Sequence, residues 1–178
     1  MWIFGYGSII WKPGFVFVER HPGFIRGWSR RFYQGSLDHR GVPGRPGRVV
    51  TLIEQPQAVC WGMLFRIEGS EAERVLGELD QREQGGYERF VEPVFDHREV
   101  ALAEALVYVA TPANPHYLGA ASEAEIARQV LEAVGPSGPN LEYVLELGRA
   151  LRAAEFDDPH VFAVEAHILA LLAGDTTP

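Results

Sequence analysis

Over its first sixty-odd residues the chain alternates short runs rich in Val, Ile, Phe, Tyr and Trp with breaks made of Gly and Pro, the pattern of strands and turns. Residues 2–5, 24–34, 48–53 and 59–67 are expected to be strands. The stretch Gly41-Val42-Pro43-Gly44-Arg45-Pro46-Gly47 can be neither helix nor central strand. Ser70 followed by Glu73 predicts a capping box, and Ala72, Val75, Leu76 and Leu79 line one helical face, so a helix is expected to about Arg82, closed by Gly85-Gly86. Strands are expected again over 87–95 and 101–110, the second apolar enough to lie centrally. Beyond residue 120 the period turns helical. Ser122 with Glu125 opens one helix that should end at Gly135-Pro136, and 141–154 keeps helical register. A last helix is capped by Asp158, carries Pro159 in its first turn and stops at Gly174. Strands, one helix, two more strands and then helices make an α+β layout with an antiparallel or mixed sheet, not a doubly wound βαβ fold.

Composition narrows the class. With 178 residues, 47% of them hydrophobic and 22% charged, the chain reads as one soluble, core-forming domain over 1–178, without linker, repeat or low-complexity tract. Its longest apolar stretch, 161–173, is interrupted by Glu165 and His167 and is too short to span a bilayer, so no membrane partner is expected. The opening Met1-Trp2-Ile3-Phe4-Gly5 has neither the basic lead nor the cleavage site of a targeting segment. The lone Cys60 has no disulfide partner within the chain, and a reducing, cytoplasmic setting follows. A net charge of −8 excludes nucleic acid as a bulk partner. Residues 1–53 nevertheless hold eight basic side chains against two acidic ones, a local +6 suited to a small anion unless those arginines pair within the fold. Oligomeric state leaves no mark in the sequence.

Three segments carry candidate chemistry. Phe4-Gly5-Tyr6-Gly7-Ser8-Ile9-Ile10-Trp11 ends a strand in glycine-spaced backbone. It fails as a dinucleotide fingerprint, because Ile10 replaces the third glycine, and reads either as an oxyanion nest or as a plain tight turn. In Asp80-Gln81-Arg82-Glu83-Gln84-Gly85-Gly86-Tyr87, a carboxylate at the negative end of a helix is pushed toward a raised pKa if buried, which suits proton transfer; an exposed surface turn is the bland reading. Residues 29–41 are polar enough for a recognition surface. Ser36, Asp38 and His39 can be drawn as a nucleophilic set, but no nucleophile elbow surrounds the serine. The six histidines lack zinc spacing, and His160 and His167, seven apart, read as packing or surface.

Taken in order, Phe4-Gly5-Tyr6-Gly7-Ser8-Ile9-Ile10-Trp11, Ser29-Arg30-Arg31-Phe32-Tyr33-Gln34-Gly35-Ser36, Asp38-His39-Arg40-Gly41-Val42-Pro43-Gly44, Gly47-Arg48-Val49-Val50-Thr51-Leu52, Arg82-Glu83-Gln84-Gly85-Gly86-Tyr87 and Gly135-Pro136-Ser137-Gly138-Pro139-Asn140-Leu141-Glu142-Tyr143 resemble the ChaC family of glutathione-specific γ-glutamylcyclotransferases. The resemblance implies a small mixed or antiparallel β-barrel, or curved sheet, with surrounding helices. It also implies a lyase that cleaves glutathione to 5-oxoproline and cysteinylglycine with no cofactor or metal. On the matching positions it implies Glu83 as the catalytic carboxylate and Tyr6, Gly7, Ser8 and Ile9 as the loop holding the γ-glutamyl group, with Tyr143 near the pocket. Ile9 stands where leucine is usual, Leu37 where a polar residue is common and Gln84 where lysine is frequent. Arg30, Arg31 and Arg40 are the arginines nearest these motifs and the candidates for a substrate carboxylate. Neighbouring strand residues face opposite ways, so Arg30 and Arg31 should not share that task. A cyclotransferase for other γ-glutamyl amines or amino acids, or a non-catalytic γ-glutamyl binding module, is the alternative.

Overall fold

A computed structural model describes residues 1–82 and 86–174. Five strands close a mixed barrel in the order β1-β3-β2-β4-β5: β1 (Trp2–Gly5), β2 (Glu19–Ser36), β3 (Gly47–Arg66), β4 (Glu88–Phe95) and β5 (Ala101–Val109). Helix α1 (Ala72–Arg82) sits between β3 and β4 in sequence. After β5 come α2 (Glu123–Glu132), the two-residue strands β6 (Val134–Gly135) and β7 (Gly138–Pro139), then α3 (Asn140–Ala153) and α4 (Pro159–Ala173). The α+β barrel expected from the sequence is present.

Three sequence expectations are corrected. Residues 48–53 and 59–67 are not separate strands but one 20-residue strand, because the exposed 54–57 segment continues in extended form. Its Pro56 has no N–H to contribute, which an exposed strand segment tolerates. The Ser70/Glu73 capping box does not form: the chain enters α1 through a 3-10 turn, Gly69–Glu71, that has no side-chain cap. By contrast Ser122 and Glu125 cap each other at the head of α2, Asp158 caps α4 through the Val161 N–H, and Gly174 ends α4 in the left-handed region. Helix α2 stops at Glu132, three residues short of Gly135, because Val134–Gly135 pairs with Gly138–Pro139.

The chain packs as two compact units, one of Met1–Arg30 with Leu52–Pro115, the other of Arg31–Thr51 with His116–Pro178. In the first, Ile3, Ile9, Phe65, Ile67, Val75, Leu79 and Tyr108 form one buried cluster, flanked by Phe15 and Phe17. Val75 and Leu79 lie one helical turn apart on α1, so that face of the helix closes over the cluster. In the second, α4 packs on α2 and α3, and Val161, Val164 and Ile168 of α4, Ile126 and Val130 of α2 and Val144 and Leu147 of α3 are all buried.

His160 is one of the polar side chains buried in that second unit. It is 7% exposed, and its Nε2 accepts the Phe32 backbone N–H at 3.2 Å while Nδ1 faces Glu123 Oε1 at 3.2 Å. Nε2 therefore carries no proton. Burial lowers the His160 pKa, with Arg31 adding to the effect and Glu123 and Asp158 opposing it. Since the folded value lies below the unfolded one, roughly 6.5, stability is full above that pH and declines as pH falls, by at most about 1.4 kcal/mol per pH unit for one proton. Melting temperatures of wild type and His160→Gln should therefore converge between pH 7.5 and 5; a gap that stays constant would contradict this placement.

Candidate active site

The barrel sets the start of the glycine-spaced loop. Strand β1 pairs antiparallel with β3, Gly5 opposite Met63, and parallel with β5 at Ile3 and Leu106. Beyond Gly5 the chain turns through a 3-10 segment, Ser8–Ile10, closed by Ile10 N–H to Gly7 O at 3.0 Å and Lys12 N–H to Ser8 O at 2.8 Å. Those bonds, with that of Trp11, use the N–H groups of residues 10–12. The N–H groups of Gly7, Ser8 and Ile9 stay outside the turn's own bonding, as at any helix start. Ile9 turns inward into the core cluster and anchors the loop.

Tyr6 is held from two sides. Its hydroxyl donates to the Tyr108 carbonyl at 2.7 Å, and its own carbonyl accepts Nε of Arg30 at 2.7 Å. Arg30 is 2% exposed, and its Nη2 donates to the Trp61 carbonyl. Gly7 has φ −118° and ψ −135°. This φ lies outside the left-handed region, so backbone conformation alone does not call for glycine at position 7.

The last turn of α1 meets the same loop. Arg82 donates to Ser8 Oγ at 2.7 Å and to the carbonyls of Pro13 at 2.8 Å and Lys12 at 3.1 Å. Two residues earlier, Asp80 is paired with Arg89 and accepts the Tyr108 hydroxyl at 2.8 Å. Arg89 and Tyr108 hold the Asp80 carboxyl below its usual range. Burial, then donation to Asp80, pushes the Tyr108 phenol up to about 12. Asp80 thus stays ionised near neutral pH and is a poor proton carrier, although it belongs to the segment in which such a carboxylate was sought. Glu83, the candidate implied by the resemblance, lies outside the described residues, as do Gln84 and Gly85. Gly86 follows at φ +85°, where glycine is the natural occupant.

The remaining candidates lie in the second unit. Arg31 is half-buried. Arg40 pairs with Glu142 at 2.6 Å and donates to Pro139 O, so a substrate carboxylate would have to displace Glu142. Tyr143 is buried; its hydroxyl accepts the Val50 N–H at 3.4 Å and its ring meets Phe32 edge-on. Ser36 Oγ accepts the Arg40 backbone N–H, while His39 Nδ1 lies 3.1 Å from Ser137 Oγ. Ser36 thus serves a turn, with no hydrogen bond to His39. Among the described residues no group of three or more His, Cys, Asp or Glu is arranged to hold a metal, and no helix is long and apolar enough to cross a membrane. A groove of about 460 Å³ lies in the first unit, lined by Val16, Phe17, Val18, Glu68, Ser70 and Glu71, and includes none of the candidates.

Sequence reasoning left Arg82, Tyr108 and Gly62 without a role. Tyr108 carried a signal, a polar tip within the apolar run 105–109 that needs a partner when buried. Gly62 did not: a Cβ there would sit 2.6 Å from Phe4 Cζ and closer still to the Gly5 carbonyl oxygen, so it is what lets β3 pass β1 at the root of the loop.

The closed mixed barrel with its helices is a γ-glutamylcyclotransferase-like fold. It superposes on the crystal structure of the yeast γ-glutamyl cyclotransferase specific to glutathione with a TM-score of 0.88 and 28% identity, covering 95% of each chain. The chain belongs to the ChaC family: the model described as ChaC-like protein matches residues 1–171. It is 46% identical over 177 residues to the glutathione-specific gamma-glutamylcyclotransferase 1 of Danio rerio, spanning 97% of this chain and 90% of that protein. It is 43% identical to the protein of the same name from Homo sapiens, spanning 92% of this chain and 76% of that one.

Gly62→Ala should destabilise the protein by about 1–3 kcal/mol, since the clash is with backbone and a core ring. Gly69→Ala, whose Cβ would meet nothing within 4 Å, should stay within about 0.5 kcal/mol of wild type. Paired urea titrations check this, and equal stabilities would refute the close-approach reading.

Proposed function

We propose that this protein is a γ-glutamylcyclotransferase that cleaves glutathione to 5-oxoproline and cysteinylglycine in a cytoplasmic setting, with Glu83 as its proton carrier. The observation that carries the reading is the 46% identity across 97% of the chain to a relative named for that activity. The loop geometry supports it. The one family model spanning residues 1–171 supports reading the chain as a single cyclotransferase domain.

In the reaction, the α-amine nitrogen of the γ-glutamyl group attacks its own γ-carbonyl carbon, closing a five-membered ring, and the bond from that carbon to the cysteinyl nitrogen breaks. The atoms of the two products sum to glutathione. Nucleophile and electrophile are already tethered, so the protein's task is to fold the substrate. The ammonium must first lose a proton and the leaving nitrogen must gain one. A single carboxylate does both in turn, and no redox or metal chemistry is called for. Glu83 is assigned this role, and the depressed pKa of Asp80 supports the choice between the two carboxylates of the segment. The N–H groups of Gly7, Ser8 and Ile9 suit the developing oxyanion or the substrate α-carboxylate.

Purified protein incubated with reduced glutathione should release 5-oxoproline and cysteinylglycine in equal amounts, and more slowly with γ-glutamylalanine or γ-glutamyllysine. Glu83→Gln should lower kcat by about 10²–10⁴ while substrate still binds, and the wild-type pH–rate profile should show an acid limb set by one carboxylate. Turnover by Glu83→Gln near the wild-type rate would overturn the assignment.

A further inference from the structure

Arg82 serves three acceptors on a single stretch of chain. Its Nη2 donates to Ser8 Oγ, and its Nη1 donates to the carbonyls of Lys12 and Pro13. The stretch is shaped around the guanidinium: Gly14 turns at φ +76°, and a Cβ there would lie 3.2 Å from Arg82 Nη1. The Lys12 N–H returns to Ser8 O, so Ser8 is gripped through its hydroxyl by Arg82 and through its carbonyl by the backbone of residue 12. Arg82 also ends α1, where a cation is favoured by the helix dipole.

We propose that Arg82 is a positioning residue for the reaction, which bolts the loop of residues 7–13 to the end of α1 and so fixes the direction of the Gly7, Ser8 and Ile9 N–H groups. The proposal rests on the cyclotransferase reading. The planar, five-donor guanidinium reaches Ser8 and the two carbonyls at once, which the point charge of a lysine does not reproduce. Donors aimed at a developing charge contribute only while their direction is held, so loosening the loop costs rate even where the fold survives.

The test compares Arg82→Lys, Arg82→Met, Ser8→Ala and the double variant Ser8→Ala/Arg82→Lys, each with melting temperature, kcat and KM for glutathione and the pH–rate profile. Wild type is assayed first; a wild type that releases no 5-oxoproline from glutathione sinks the cyclotransferase reading itself. With wild type active, Arg82→Lys should lose about ten- to a hundredfold in kcat/KM, with most of the loss in kcat. Ser8→Ala should show part of that loss, and the double variant should be no slower than Arg82→Lys alone, because both changes cut the same connection. The acid limb should stay where it is in Arg82→Met. If Arg82→Met fails to fold, Ser8→Ala and Arg82→Lys still carry the comparison. Wild-type kinetics in Arg82→Lys, multiplying losses in the double variant, or a displaced acid limb with Ser8→Ala unaffected would each overturn the proposal, the last by showing that the arginine acts through its charge on the proton carrier.

Discussion

The interaction on which the geometry of the candidate loop depends is the buried guanidinium of Arg30. Taking a charged group out of water costs several kcal/mol unless its donors are satisfied. Here two of those donors are turned on backbone, the carbonyls of Tyr6 and Trp61. A backbone carbonyl held by a buried cation cannot rotate without exposing that cation to an unmet cost. The first residue of the loop is thereby fixed from beneath while the Tyr6 hydroxyl is fixed to β5 through Tyr108.

Around this point the first unit reads as a set of restraints on one short loop. Gly62 admits β3 beside β1, Ile9 pins the loop to the core, and Arg82 grips its far side. Such redundancy suits an intramolecular acyl transfer, whose barrier falls mainly by holding one bent substrate conformation and by donors already aimed at the oxyanion. The Tyr108–Asp80–Arg89 cluster ties β5 to α1 and keeps one carboxylate ionised, which separates it from the proton-carrying role.

What could be read from the sequence was local. The cap of α2 by Ser122 and Glu125 and the Pro159 start of α4 depend on residues within a turn of one another, and both stand. Strand β3 was read as two because exposure at 54–57 looks the same whether the chain turns or runs on in solvent. The motifs marked the loop and the end of α1 but not the contacts joining them, since Arg30 reaches Tyr6 across 24 residues and Arg82 reaches Ser8 across 74. The basic surplus of the first 53 residues left open whether those side chains face a ligand or pair within the fold, for a related reason. Arg30 and Arg48 are buried on backbone carbonyls, and Arg40 pairs with Glu142 and Arg26 with Glu99 nearer the surface, so four of those eight basic side chains have partners within the chain.

The most direct test of this account is kcat/KM of Arg30→Met for glutathione and for γ-glutamylalanine, measured on protein whose melting curve remains cooperative. If Arg30 acts by holding the Tyr6 carbonyl, it serves the γ-glutamyl end common to both substrates, and the two constants should fall by the same factor, about tenfold or more. A loss confined to glutathione would contradict the account, because it would mean that Arg30 holds the glycine carboxylate of the tripeptide and not the loop.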